Sequence, residues 1–265
     1  MSSLGSRFEQ LSARGEKALI LFVTAGDPPL DQLLDILDTL QEGGADVIEV
    51  GLPFSDPIAD GPVIQASSQR ALDQGASTRA ILDCLRSWKP RAQIPVVLMG
   101  YMNPILRAGA EEFASAAAEV GVSGTIISDL TPEEGDEWIS TSKLHFLDNI
   151  FLAAPTSTDE RLDTVCAKSR GFVYAVSRTG VTGKGSSDLG EVETLVNRLR
   201  AKTKLPVCVG FGIREPDQVR QVCKIADGAI VGSWLVQFLA EKWNGGQGRE
   251  ELREKVSRLK MATRI

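Results

Sequence analysis

Two acidic residues lie eleven positions apart, where the sequence indicates a buried strand followed by a loop. Glu49 lies in the apolar run 47–51, and Asp60 lies in residues 52–62, which contain three prolines and one glycine. A carboxylate that is removed from water costs free energy unless it is paired or neutralised. Parallel α/β enzymes carry catalytic residues at strand ends and in the loops that follow. Glu49 and Asp60 are therefore candidate catalytic residues, with a structural salt bridge at Glu49 as the alternative.

The other reactive side chains favour acid–base chemistry by carboxylates. The one histidine, His145, lies between a predicted helix and a predicted strand and is interpreted as a surface residue. This argues against Ser-His-Asp and Cys-His catalysis, and we expect no metal site. The cysteines at 84, 166, 208 and 223 lack CxxC spacing and are interpreted as free thiols. A glutamate in apolar surroundings has a raised pKa, which suits proton donation and acceptance near neutral pH.

Three glycine-bearing turns follow late apolar runs, at residues 177–183, 210–213 and 231–234. Glycine lets backbone N–H groups approach a ligand closely, and a helix that starts after Gly232 presents its N-terminus to an anion. The three turns together predict a phosphate-binding site. Turns that serve only to reverse the chain are the alternative.

The elements that would position these residues are eight short apolar runs separated by helical segments. The runs are 18–25, 47–51, 95–100, 125–129, 150–154, 172–176, 206–210 and 229–232. Eight strand–helix repeats around a parallel sheet predict a single (β/α)8 TIM barrel with a short N-terminal helix, one domain over residues 1–265. An open doubly wound sheet is the alternative, but its GxGxxG fingerprint is absent after the first run.

Helical segments are marked by leucine spacing and by helix-start signals. The leucines at 33, 34, 37 and 40 follow the i, i+3, i+4, i+7 rule. Helix starts are predicted at residues 131–134 and 157–160, where threonine or serine precedes acidic residues. Asp129, at the predicted end of the fourth strand, is expected to anchor a loop by hydrogen bonds.

Alternation along the second run places Val47, Glu49 and Gly51 on one face of the strand and Ile48 and Val50 on the other. In a barrel, the branched pair would pack under the helices and Glu49 would point into the mouth. The residues expected to wall a partly aromatic pocket there are Phe22, Thr24, Met99, Tyr101 and Tyr174.

The overall charge and the first residues narrow the class of protein. A formal charge of −6 argues against a nucleic-acid or anionic-membrane surface. Residues 1–10 lack the pattern of a secretory signal, and no apolar run approaches the ~20 residues of a membrane span. We expect a cytoplasmic protein, or one of the plastid stroma if a transit peptide has been removed, that acts on a small molecule.

Five motifs, in order along the chain, resemble the signature of the tryptophan synthase alpha subunit family. They occupy residues 50–62 (VGLPFSDPIADGP), 98–105, 177–183, 210–213 and 228–233. The resemblance extends from Phe8 to about Val236 and implies a (β/α)8 barrel. The implied reaction is cleavage of indole-3-glycerol phosphate to indole and glyceraldehyde 3-phosphate.

The resemblance also implies roles for individual residues. Glu49 matches the family's general acid–base, which protonates indole C3 and removes the glycerol hydroxyl proton in a retro-aldol step. Asp60 matches the carboxylate that accepts a hydrogen bond from the indole N–H, and Thr182 matches a residue of a loop that closes over the substrate. The residues that match the phosphate cradle are Gly183, Gly212, Gly232 and Ser233, with Phe211 as a further substrate-binding residue.

A partner is implied as well. Family members pair with a β subunit that holds pyridoxal phosphate and receives indole, in an α2β2 assembly with the order αββα; no cofactor is expected in this chain. Residues 53–56 and 103–104 match segments at that interface. Two alternatives remain: a stand-alone lyase that releases free indole, and a catalytically idle barrel that only activates a β subunit or binds a phosphate ligand.

Overall fold

A computed structural model of the chain describes residues 2–176, 187–210 and 212–265. The strands are β1 (Ala18–Thr24), β2 (Val47–Gly51), β3 (Val96–Gly100), β4 (Val122–Ile127), β5 (Asp148–Asn149), β6 (Leu152–Ala153), β7 (Val173–Val176), β8 (Val207–Gly210) and β9 (Gly228–Val231). The helices are α1 (Ser3–Ala13), α2 (Leu33–Gly43), α3 (Pro62–Asp73), α4 (Thr78–Trp88), α5 (Met102–Ala108), α6 (Ala110–Glu119), α7 (Asp136–Leu144), α8 (Asp159–Lys168), α9 (Ser187–Arg200), α10 (Pro216–Ile225), α11 (Ser233–Lys242) and α12 (Arg249–Met261).

The strands form one parallel sheet in the order β5-β4-β3-β2-β1-β9-β8-β7-β6. Its two end strands, β5 and β6, are halves of a single barrel strand. The first half pairs with β4 and the second with β7. Between them, Ile150 N–H donates to the Thr125 carbonyl at 3.0 Å, and Tyr174 N–H donates to the Phe151 carbonyl at 3.1 Å. The sheet therefore closes through this segment, and the predicted (β/α)8 barrel is confirmed; the open doubly wound alternative is wrong.

The end of the fourth strand and one helix start differ from the sequence prediction. The fourth strand ends at Ile127 rather than 129, because the chain turns there and Leu130 N–H bonds the Ile127 carbonyl at 3.2 Å. Asp129 still anchors a loop as predicted: its Oδ1 accepts the Met102 N–H at 2.8 Å. The helix start predicted at 131–134 is wrong. Glu134 N–H bonds the Thr131 carbonyl at 3.2 Å in a separate turn, and α7 begins only at residue 136.

Other helix predictions are confirmed. Thr158 caps α8, and its side chain accepts the Arg161 N–H at 3.3 Å. Such a cap satisfies one of the N–H groups that the first helical turn leaves unpaired. The leucine stripe of α2 packs inward, and Leu33, Leu37 and Leu40 are buried against the sheet. None of the helices in the described part of the chain is long and apolar enough to cross a membrane.

Buried apolar side chains fall into two layers separated by the sheet. Ile48 and Val50 of β2 belong to the outer layer, between strands and helices, whereas Val47 belongs to the layer inside the barrel. The predicted alternation along this strand is therefore confirmed. The inner layer also contains Leu4, Phe8 and Leu11 of α1, so this helix closes one end of the barrel with its apolar face.

A buried ionic network ties α1 to the barrel at that closed end. The Asp46 carboxylate is fully buried and accepts hydrogen bonds from Arg7 at 2.7 Å and from Lys260 at 2.8 Å. It also accepts the Leu19 N–H at 2.7 Å. Because Asp46 immediately precedes β2, these contacts join α1 and α12 to the closed end of the barrel.

Candidate active site

Glu49 lies on the inner face of β2, and its side chain is fully buried. Its neighbours in register are Phe22 of β1 and Val97 of β3, both apolar. Among the residues that the structure describes, neither Oε1 nor Oε2 has a hydrogen-bond partner. Burial without a partner disfavours the charged form and raises the pKa of Glu49 to about 8. The side chain is therefore a neutral acid at pH 7, held where it can lose and regain a proton.

Asp60 lies in the loop between β2 and α3 and is held in place through three contacts. The Tyr101 hydroxyl donates to Asp60 Oδ2 at 3.0 Å and accepts the Ala59 N–H at 3.0 Å. The Gln65 side-chain amide donates to the Asp60 carbonyl at 2.8 Å. Partial burial raises the pKa of Asp60, and the Tyr101 hydrogen bond lowers it in turn. This network directs the Asp60 carboxylate towards Tyr101 at the end of β3.

Tyr101 supports the loop by stacking as well. Its ring lies 5.0 Å from the ring of Phe54, with 29° between the ring planes. Burial raises the pKa of the Tyr101 hydroxyl, and the charge of Asp60 acts in the same direction. The phenol therefore stays protonated and acts as a hydrogen-bond donor to Asp60.

A cavity that opens to the surface lies between these elements and brings five predicted residues together. Those residues are Phe22, Thr24, Met99, Tyr101 and Asp60, and the other lining residues are Gly51, Leu52, Ile64, Ser68, Gly100 and Ser128. Glu49 lies beside this cavity, two positions before Gly51 and in register with Phe22. The Asp60 carboxylate thus lines the cavity and the Glu49 side chain is buried on the strand beside it, an arrangement suited to proton transfer on a ring that enters the cavity.

Sequence comparison agrees with this geometry. The sequence profile described as "Tryptophan synthase alpha chain" matches residues 8–264. A tryptophan synthase alpha chain of Burkholderia thailandensis is 46% identical over 263 residues, which cover 99% of this chain and 97% of the relative. One of Citrifermentans bemidjiense is 46% identical over 260 residues, with coverages of 98% and 97%. The chain belongs to the tryptophan synthase alpha chain family.

Structural comparison gives the same result. The structure of Mycobacterium tuberculosis tryptophan synthase superimposes with a TM-score of 0.91 at 40% identity, over 100% of this chain and 99% of that one. A tryptophan synthase subunit alpha of Legionella pneumophila gives a TM-score of 0.91 at 35% identity, over 99% and 98% of the two chains. The chain is therefore a carbon–carbon lyase, and the cleavage of indole-3-glycerol phosphate implied by its motifs is its reaction.

Tyr174 lies on β7, inside the barrel, and is half-buried. Its hydroxyl lies against Gly210, where a Cβ atom would stand 2.6 Å from the hydroxyl oxygen. A side chain at 210 would therefore displace the phenol. Burial raises the pKa of Tyr174, and the negative charges of Glu49 and Asp60 act in the same direction. Tyr174 does not line the cavity beside Glu49 but packs against the inner layer of the barrel.

The predicted phosphate cradle of this family member is described in part. Gly232 precedes α11, which begins at Ser233, and a Cβ at Gly232 would lie 3.5 Å from Phe22 Cβ. The helix N-terminus is thus next to the cavity wall. Gly212 has φ +60°, a conformation that favours glycine. The fourth predicted member, Gly183, lies outside the described residues, as do Thr182 and Phe211, which were predicted to bind other parts of the substrate.

Six residues of the cavity wall were not among the predicted ones: Gly51, Leu52, Ile64, Ser68, Gly100 and Ser128. Ile64 and Ser68 are four apart on α3, directly after the Asp60 loop, so helical spacing could have placed them on one face. Ile126 of the fourth strand points into the barrel, and Ser128 lies two positions later. If the alternation of the strand is continued past its end, Ser128 is therefore expected on the same inner side. Leu52 follows β2 and had no signal of its own. No group of three or more histidine, cysteine, aspartate or glutamate side chains is placed to hold a metal ion within residues 2–176, 187–210 and 212–265.

Proposed function

We propose that Glu49 is the general acid–base of the cleavage and that Asp60 stabilises the positive charge on the indole ring. In the first step, the Glu49 carboxylic acid gives its proton to C3 of indole-3-glycerol phosphate. The ring becomes an indolenine cation with C3 saturated. In the second step, the Glu49 carboxylate takes the proton of the hydroxyl on the attached carbon. The C3–carbon bond breaks, its electron pair restores the aromatic indole, and the aldehyde leaves as glyceraldehyde 3-phosphate.

The observation that carries the proposal is the burial of Glu49 without a hydrogen-bond partner in the described part of the chain. With a pKa of about 8, the side chain is protonated at neutral pH and is ready to act as an acid. Once it has lost its proton, the carboxylate lies in apolar surroundings that favour taking one back. One residue can therefore perform both proton transfers and return to its starting state.

Asp60 is suited to the second role because it lies at the cavity wall and is hydrogen-bonded by Tyr101 at 3.0 Å. This bond favours the ionised carboxylate, which can accept the indole N–H. A fixed negative charge next to the nitrogen stabilises the indolenine cation, and such preorganised electrostatics typically contribute about 3–4 kcal/mol to a barrier.

The remaining predicted residues bind the two ends of the substrate in this proposal. Phe22, Met99, Tyr101 and Tyr174 surround the indole ring. The phosphate lies at the N-terminus of α11, with the backbone of Gly183, Gly212, Gly232 and Ser233 as donors and Phe211 beside it, while Thr182 belongs to the segment that closes over the substrate. The position of Gly232 beside Phe22 supports this, because one molecule could then reach both parts.

A β subunit is the proposed partner, in an αββα assembly, with pyridoxal phosphate held by that subunit. Exposed apolar side chains beside the cavity support this partner. Ile58, in the Asp60 loop, is 85% exposed, and Leu106 of α5 is 57% exposed. Ser55, Asp56 and Asn103, which match interface segments of the family, are exposed as well. A surface that passes indole to a partner would be placed at this side of the barrel.

The experiment is indole release from indole-3-glycerol phosphate by the purified chain, alone and with a tryptophan synthase β subunit. Slow release that rises by orders of magnitude with the partner supports the proposal. Fast release by the chain alone supports the stand-alone lyase instead. Absence of release under both conditions would overturn the roles of Glu49 and Asp60 and favour the idle barrel.

A further inference from the structure

A second buried aspartate lies at the mouth end of the barrel and has no part in the chemistry described above. Asp27, in the turn after β1, is almost fully buried. Arg70 of α3 holds it with two donors, Nη2 to Oδ2 at 2.7 Å and Nε to Oδ1 at 3.0 Å. The Ser67 hydroxyl donates to Oδ2 at 2.5 Å. We call Asp27, Ser67 and Arg70 the Asp27 clamp, since a two-point guanidinium–carboxylate contact fixes orientation as well as distance.

The backbone next to the clamp leaves no space for a side chain at position 26. Gly26 has φ +97°, and a Cβ at this position would stand 2.6 Å from Ala76 Cβ and 3.2 Å from Ala71 Cβ. Only glycine therefore fits between the turn and the last part of α3. The turn after β1 and α3 thus form a single unit, with the clamp as its polar connection.

The same helix forms the support of Asp60. Its first residue, Pro62, is two positions from Asp60, and the Gln65 amide holds the Asp60 carbonyl at 2.8 Å. Ile64 and Ser68 of the helix line the cavity. Ser67, which bonds Asp27, is therefore adjacent to one cavity residue and within one helical turn of the other.

We propose that Asp27, Ser67 and Arg70 are positioning residues of the lyase, which hold α3 so that the Asp60 carboxylate faces the indole nitrogen. None of them lines the cavity, so they act only through α3 and Asp60. This inference rests on the role proposed for Asp60. A displacement of about 1 Å at a reacting group can cost about 10²-fold in rate, so a loosened helix would be seen in turnover.

The test compares Arg70→Gln with Arg7→Gln, which breaks the matching ion pair with Asp46 at the closed end of the barrel. Arg70→Gln is expected to lower kcat by about 10-fold or more and to move the acidic limb of the pH profile, because Asp60 is displaced. Arg7→Gln is expected to lower the melting temperature about as much as Arg70→Gln does, but to leave kcat within about twofold of the value for the unmodified chain.

A third variant, Arg70→Lys, keeps the positive charge but loses the two-point contact. Its kcat should lie between that of Arg70→Gln and that of the unmodified chain. If Arg70→Gln does not fold, Ser67→Ala is compared with Arg7→Gln instead, because it removes one hydrogen bond of the clamp.

The double variant Arg70→Gln/Asp60→Asn distinguishes a failure of this inference from a failure of the role proposed for Asp60. If the clamp acts through Asp60, Arg70→Gln should have little further effect on kcat once Asp60 is replaced. If both arginine variants lose stability equally and keep the kcat and pH profile of the unmodified chain, while Asp60→Asn has a strongly lowered kcat, the positioning role of the clamp is overturned and the role of Asp60 is not. Full activity of Asp60→Asn itself would instead overturn the proposed function, and with it the inference.

Discussion

Tyr101 and Asp60 are joined by a 3.0 Å hydrogen bond that ties the loop after β2 to the end of β3. Glu49 lies on β2, the strand before this loop, and its carboxyl group has no hydrogen-bond partner among the described residues. The two carboxylates at one mouth therefore differ in what acts on their pKa values: burial raises both, but the Tyr101 hydrogen bond opposes that rise at Asp60 and nothing opposes it at Glu49. A proton donor and a fixed negative charge are what the proposed cleavage requires.

Replacing Tyr101 with Phe tests the hydrogen bond directly. Loss of the donor removes the contact that lowers the pKa of Asp60, so this pKa should rise further above its ordinary value of 3.8. The acidic limb of kcat/KM, where Asp60 gains a proton, should therefore move to higher pH. The measurement is the pH profile of indole release. Phe54→Leu, which loses the ring stack but keeps the hydroxyl, is the control and should leave that limb in place; an unmoved limb in Tyr101→Phe would contradict the account.

Glu49 should make stability depend on pH in a characteristic direction. Its pKa is raised from 4.5 to about 8 in the folded chain, so between these values the folded state holds a proton that the unfolded state has lost. The free energy of unfolding should therefore fall as pH rises through this window, by up to about 1.4 kcal/mol per pH unit from this group. Urea unfolding at several pH values, compared with Glu49→Gln, measures it.

The glutamine side chain of Glu49→Gln cannot ionise. The free energy of unfolding of this variant should therefore lack the decrease with rising pH that Glu49 causes in the unmodified chain. The difference in unfolding free energy between Glu49→Gln and the unmodified chain should increase in favour of glutamine from pH 5 to pH 8. A constant difference across that range would mean that the folded and unfolded states bind the Glu49 proton equally, and the raised pKa would be wrong.

Local patterns predicted the positions of individual side chains well and their partners poorly. Alternation along β2 placed Glu49 inside the barrel because a strand fixes which face each residue occupies. The Tyr101–Asp60 bond and the Asp27 clamp join residues 40 to 43 positions apart, and nothing in the local sequence reports such contacts. The helix start at 131 failed for a related reason: Thr131 and Glu134 satisfy each other in one closed turn.

Side chains of the inner layer at the closed end of the barrel should contribute to the free energy of unfolding but not to kcat. Leu4 of α1 is fully buried in the closed end of the barrel. Leu4→Ala leaves a cavity there and should lower the free energy of unfolding by about 3 kcal/mol, with kcat unchanged. Met261→Ala, at an exposed position of α12, is the control and should stay within about 0.5 kcal/mol. A similarly small effect of Leu4→Ala would show that α1 does not close the barrel in solution.

The exposed loop residue Ile58 should contribute to binding of the β subunit. A charge at an apolar interface position must be desolvated without a partner, so Ile58→Asp should weaken the complex by about 10-fold or more. Calorimetric titration with the β subunit measures this. Met261→Asp places the same charge on an exposed apolar position of α12 and should bind as the unmodified chain does. Equal affinities for both variants would move the partner surface away from the Asp60 loop.

The measurement that tests the central claim most directly is indole release by Glu49→Gln in the presence of the β subunit, together with its affinity for indole-3-glycerol phosphate. Glutamine keeps the size of the side chain and cannot transfer a proton. We predict a fall in kcat of about 10³-fold with substrate affinity largely retained. A kcat within about tenfold of the unmodified chain would show that another group transfers the proton, and the assignment of Glu49 as the general acid–base would be wrong.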